Sequence, residues 1–111
     1  MAGAQPRITT ELMTFNEIKR IYFIGIGGIG MSALARYFKK HGAEVYGYDR
    51  TETDLTRALV AEGMHVHYED DVKQIPENID LVVITPAVPK DHKELNWFRE
   101  QGFPMKKRAE V

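Results

Sequence analysis

The chain has 111 residues, 43% of them apolar, with 15 basic and 16 acidic side chains and no cysteine. That is enough for one small domain with one core, and the mixed, near-neutral charge argues against nucleic-acid or membrane-surface partners, which call for a basic excess. Disulfide and thiolate chemistry are excluded, no apolar run approaches the ~20 residues that span a bilayer, and the N-terminus lacks a secretion-signal pattern, so a cytoplasmic location is expected.

Residues 1–17 show no sustained period and read as a flexible leader; residues 18–111 read as one domain. Ile21-Tyr22-Phe23-Ile24, bounded by Gly25, predicts a buried strand. Met31, Leu34, Ala35 and Phe38 then recur at helical spacing, with Gly42 as the stop. Glu44–Tyr48 predicts a second strand, ending at Asp49. Thr51 or Thr53 can cap a second helix whose Leu55, Leu59 and Val60 are expected to face the core, with Gly63 ending it. His65–Tyr68 predicts a short third strand, and Leu81–Ile84, the most apolar run, a fourth. Asp91 and Glu94 form a D-x-x-E capping signal for a helix through Leu95 and Phe98 that ends at Gly102. Met105-Lys106-Lys107 predicts an edge strand.

Alternating strands and helices imply βαβ units and a parallel sheet. Right-handed crossovers then favour a Rossmann-like, three-layer α/β fold of about five strands in the order 3-2-1-4-5. Such a sheet opens a crevice at the carboxyl ends of strands 1 and 4, where ligands bind. The glycine turn, the Asp49 corner and the loop Thr85-Pro86-Ala87-Val88-Pro89 should converge there.

Gly25-Ile26-Gly27-Gly28-Ile29-Gly30 matches G-x-G-x-x-G between a strand and a helix, a phosphate-binding context. Gly25 permits the sharp turn, Gly27 and Gly28 allow close approach to the backbone, and Gly30 allows tight helix packing. The first helical N–H groups and the helix dipole favour an anion. Ser32 can donate to a phosphate or bond back into its own helix. Asp49, nineteen residues after Gly30, is placed to accept ribose hydroxyls, or it is a turn former. Arg50 can pair with a phosphate or stay solvated. Pro86 and Pro89 stiffen a loop that is either a base-pocket wall or a plain connection. His67 or Tyr68, at a strand's carboxyl end, can line the pocket. His65 and His67 lack a third ligand, so no metal site is expected. No catalytic set and no Walker loop is visible.

A dinucleotide needs two mononucleotide halves, and this chain has little more than one. A nucleoside diphosphate suits it better. An NAD-binding regulatory (sensor) domain and a truncated dehydrogenase remain open alternatives.

Gly25-Ile-Gly-Gly-Ile-Gly-Met-Ser32, Gly47-Tyr-Asp49, Thr85-Pro-Ala-Val-Pro89 and Lys107-Arg-Ala-Glu110 resemble the Mur ligase family over residues 20 to 111. Glu69-Asp70 departs from it, since many members have Gly-His there. The resemblance implies a three-domain, ATP-dependent enzyme of bacterial peptidoglycan synthesis. Its N-terminal domain binds the UDP of UDP-N-acetylmuramate. ATP phosphorylates the lactyl carboxylate, and the amine of L-alanine attacks the acyl phosphate. On this reading the chain is the N-terminal domain alone. It carries no cofactor of its own and is inactive, with ATP and magnesium held by the missing central and C-terminal domains. Gly27, Gly28, Ile29, Gly30, Met31 and Ser32 would then meet the diphosphate, Asp49 and Arg50 the ribose, and Thr85, Ala87 and Val88 the uracil.

Overall fold

The computed structural model describes residues 17–107; the expected leader up to residue 16 and the last four residues lie outside the described part. Strands β1 (Arg20–Ile24), β2 (Glu44–Tyr48), β3 (His65–His67), β4 (Leu81–Ile84) and β5 (Met105–Lys107) form one parallel sheet. Its order is β3-β2-β1-β4-β5, as the alternating pattern predicts. Helices α1 (Ile29–Lys40), α2 (Asp54–Ala61) and α3 (Lys93–Gln101) complete the three layers, and a short 3-10 turn (Val72–Gln74) adds to the predicted elements.

The period-2 geometry of β1 divides the core. Ile21 and Phe23 point to one face and pack with Met31, Ala35 and Phe38 of α1 and Leu59 of α2. Tyr22 and Ile24 point to the other and pack with Leu95 and Phe98 of α3. Both faces of the central strands are therefore covered, which is why they read as continuous apolar runs. Among the described residues no helix is long and apolar enough to cross a membrane.

Two local expectations are corrected. Val60 is 47% exposed, and Thr56 is buried in its place. Thr56 is drawn in because it completes a capping box with Thr53: each side chain accepts from the other's backbone N–H. On α3 the N-cap is His92, not Asp91, and Glu94 does not reach back to the cap. Its carboxylate is fully buried and accepts from the Tyr22 hydroxyl at 2.6 Å, His67 Nε2 at 2.7 Å and the Asp71 N–H at 3.0 Å. Burial, followed by the Glu94 charge, raises the Tyr22 phenol well above its ordinary range.

Candidate functional site

The sheet reverses its winding between β1 and β4, and the crevice at their carboxyl ends is a cavity of about 350 Å³. Gly25, Gly28 and Met31 form one side, Tyr48, Asp49 and Arg50 a second, and Thr85, Ala87, Val88, Pro89 and His92 a third. The three segments expected to converge do so.

The glycine turn is built by the protein's own needs as well as by access. Gly25 has φ +93°, a backbone that other residues adopt only under strain, and a Cβ there would lie 2.8 Å from the Thr85 methyl. A Cβ on Gly27 would lie 2.7 Å from Asp49 Oδ2 and 2.8 Å from the Thr56 methyl. Its missing side chain thus makes room for Asp49. Gly28 is different. A Cβ there would meet nothing closer than 3.7 Å, and its backbone is ordinary extended chain, φ −67° and ψ 152°. Nothing in the protein requires glycine at 28, and the residue borders the cavity.

Gly28 is also the N-cap of α1, which leaves that helix start without a side-chain cap and without an acidic residue in its first turn. The other two helices are capped. Thr53 accepts from the Thr56 N–H on α2. On α3, Asp70 accepts from Lys93 and Glu94 at 2.8 and 2.9 Å, and His92 Nδ1 from Leu95 at 3.3 Å. Asp70, at the Glu69-Asp70 departure from the family pattern, therefore ties the loop after β3 to α3 and is not on the cavity wall.

Asp49 makes both bonds of a turn former: Oδ2 accepts from the Gly27 N–H at 2.7 Å and Oδ1 from the Thr51 N–H at 3.0 Å. A carboxylate offers about four lone-pair sites, so acceptor capacity remains for a ligand hydroxyl. Arg50 is exposed at the rim. The Ser32 hydroxyl donates back to the Ile29 carbonyl at 3.0 Å and is buried; donating to a phosphate would require it to rotate. Ile29 is 86% exposed. Of the candidate residues, Gly28, Met31, Asp49, Arg50, Thr85, Ala87 and Val88 line the cavity, whereas Gly27, Ile29, Gly30 and Ser32 sit in the turn and first helical turn beside it.

His67 and Tyr68, expected at the pocket, are engaged elsewhere. His67 joins Glu94 and Tyr22, and the Tyr68 hydroxyl donates to Thr56 at 2.9 Å. Their places are taken by Tyr48 and His92. Tyr48 was findable as the last residue of β2, adjacent to Asp49. His92 follows the proline loop, and its inward turn had no signal beyond that position. Burial and the carboxylates of Asp70, Glu94 and Asp49 raise the Tyr48 phenol, so it stays neutral at ordinary pH.

These features define a Rossmann-like α/β domain whose switch-point crevice pairs an uncapped helix start with an acidic β2 corner. The sequence profile described as "Mur ligase family, catalytic domain" matches residues 20–111, and the chain belongs to that family. It is 54% identical over 104 residues to the UDP-N-acetylmuramate–L-alanine ligase of Cytophaga hutchinsonii, covering 89% of this chain and 22% of that protein. To the ligase of the same description from Christiangramia forsetii it is 57% identical over 102 residues, covering 86% and 23%. The crystal structure of the UDP-N-acetylmuramate-alanine ligase of Thermotoga maritima superposes with a TM-score of 0.78 at 36% identity, over 84% of this chain and 21% of that one. The chain thus spans between a fifth and a quarter of the length of these relatives.

Proposed function

We propose that this chain is the N-terminal, UDP-binding domain of a ligase that joins L-alanine to UDP-N-acetylmuramate in the cytoplasmic stage of peptidoglycan synthesis. The relatives carry that activity in their names, and the match begins near residue 20 and runs to the end of the chain. The observation that carries the binding role is the start of α1. It is the one α-helix among the described residues without a side-chain cap, and it opens onto the switch-point cavity beside a glycine that the protein's own packing does not need. The positive end of a helix dipole, with no acidic side chain in its first turn, is what a diphosphate requires.

The assignments follow the cavity. The diphosphate sits over Gly27 to Ser32, at the positive end of the α1 dipole. The ribose hydroxyls meet the free lone pairs of Asp49, with Arg50 at the rim. The uracil lies against Thr85, Ala87 and Val88. ATP and magnesium belong to the central and C-terminal parts of the parent ligase, so the isolated chain binds substrate and catalyses nothing.

The test is a titration of the ¹⁵N-labelled chain with UDP-N-acetylmuramate, UDP and NADH in parallel, read by amide shifts. Shifts at Gly27 to Ser32 with both UDP ligands, and none with NADH, are expected. Shifts with NADH alone would make the domain a dinucleotide-responsive module instead.

A further inference from the structure

We infer that Glu94 is the positioning residue for the loop side of the crevice: its buried carboxylate fixes the start of α3, and the loop after β4 hangs from that start. The ligand served is the base of the UDP proposed above. The binding arm of the test rests on that reading, and the loop arm does not.

Glu94 stands in the first turn of α3 and is fully buried. Its carboxylate gathers donors from three separate parts of the chain: the Tyr22 hydroxyl of β1 at 2.6 Å, His67 Nε2 of β3 at 2.7 Å and the Asp71 N–H at 3.0 Å. Its own N–H and that of Lys93 donate to Asp70 at 2.9 and 2.8 Å. Leu95 and Phe98 hold α3 against the sheet by apolar contact, which is non-directional and lets a helix slide. Hydrogen bonds to a buried charge are directional and costly to break, so they set where along the sheet the helix begins.

That beginning carries one wall of the cavity. His92, two residues before Glu94, lines the cavity with Thr85, Ala87, Val88 and Pro89. Its N–H donates to the Pro89 carbonyl at 3.2 Å, and the Asn96 amide of α3 donates to the Lys90 carbonyl at 3.0 Å. Tyr48 meets the His92 ring edge-on with centroids 4.7 Å apart. A shift in the start of α3 would carry His92 and the loop away from Tyr48. The glycine turn would stay, because its bonds run to Tyr48 and Asp49 at the end of β2. Glu94 therefore governs the fit of a group lying against the loop, and not of one lying at the start of α1.

Three variants of the 111-residue chain test this. Glu94→Leu fills the space and removes the acceptor, and Glu94→Gln keeps an acceptor of the same shape. His67→Leu removes one donor at a partly exposed position. Amide hydrogen exchange at Val88 and His92, both bonded within the loop, is compared with Ile26 and Ser32, both bonded in the glycine turn. Exchange at the loop pair alone should rise about tenfold in Glu94→Leu and about threefold in His67→Leu, and stay within about twofold in Glu94→Gln. With the wall in place in about a tenth of the molecules, Glu94→Leu should bind UDP about tenfold more weakly. Inorganic pyrophosphate, which lacks the base, should bind within about twofold of the wild type. If Glu94→Leu does not fold, His67→Leu decides. Exchange that rises at both pairs alike or at neither, or equal weakening of UDP and pyrophosphate, overturns the inference and leaves the UDP reading standing. If UDP does not bind the wild type, the UDP reading fails, and the exchange arm alone decides whether Glu94 positions the loop.

Discussion

Gly27 and Gly28 are neighbours in one motif, and the structure separates their purposes sharply enough to measure. Gly27→Ala puts a methyl 2.7 Å from Asp49 Oδ2 and 2.8 Å from the Thr56 methyl. Overpacking of this kind costs about 1–3 kcal/mol. Moving Asp49 aside also breaks its bond from the Gly27 N–H, worth about 1.5–3 kcal/mol for a charged acceptor. A total of about 2.5–6 kcal/mol is a large share of the ~5–15 kcal/mol that holds a domain together. Gly28→Ala meets only ordinary contacts at 3.7 Å and keeps an allowed backbone. Its stability should stay within about 1 kcal/mol, the gain in unfolded-state entropy offsetting a poorer N-cap. Urea unfolding followed by circular dichroism should therefore show a midpoint about 2 M or more lower for Gly27→Ala and within about 0.5 M for Gly28→Ala. UDP titration of the folded variants should show the reverse emphasis. Gly28→Ala weakens binding by about 1–3 kcal/mol, and Gly28→Val, with its branched side chain on the cavity wall, abolishes it. Equal stability losses at 27 and 28 would refute the packing argument. Unchanged UDP affinity in Gly28→Val would remove the turn from the site.

Asp49→Asn should weaken UDP by about 1–3 kcal/mol and 2′,3′-dideoxy-UDP by much less; equal losses would mean that Asp49 acts only by shaping the turn. Tyr22 gives a pH signature. Its phenol is raised in the folded state, mainly by burial, so folding is favoured while the group is neutral in both states. That stability is complete below the unfolded value of 10.0 and falls by about 1.4 kcal/mol per pH unit above it. Tyr22→Phe should cost about 1.5–3 kcal/mol at pH 8 and flatten the alkaline decline between pH 10 and 11.5, measured by urea midpoints. Thr53→Ala removes one half of the α2 capping box and should lower stability by about 1 kcal/mol without changing UDP affinity, as read by thermal unfolding and titration.

The strands and their order were legible because short apolar runs and helical spacing are local signals, and right-handed crossovers leave few ways to join them. Glu44–Tyr48 and Leu81–Ile84 match the observed strands residue for residue. The misses share a cause. Val60 looked like core and Glu94 like a cap, but each position was decided by a partner distant in the sequence or by a competing local bond. Glu94 is 72 residues from Tyr22, and no periodicity reports such a pairing. The cavity's three segments were visible as motif, spacing and proline loop. Asp49's bond to Gly27 was not, since it depends on how closely β1 and β2 lie at their ends. His92 carries no signal in the sequence beyond being one of four scattered histidines, and only the fold shows that its Nδ1 lies 3.3 Å from both the Leu95 nitrogen and Asp70 Oδ1.

The Tyr48 carbonyl accepts from both Gly25 and Ile26, at 2.8 and 3.0 Å, and Asp49 closes the same corner through Gly27. The glycine turn and the end of β2 are thereby riveted into one piece. On this side of the crevice the ordering entropy was spent when the chain folded, and a ligand spends little more of it. Across the crevice the loop after β4 is held by two backbone bonds, from Val88 to Thr85 and from His92 to Pro89, and by the Asn96 amide donating to the Lys90 carbonyl at 3.0 Å, with none of them reaching β1 or β2. The crevice thus resembles a vice with one fixed jaw and one sprung jaw. Phosphate and ribose would be gauged against the fixed one, and accommodation to a bulkier or thinner ring would fall to the other.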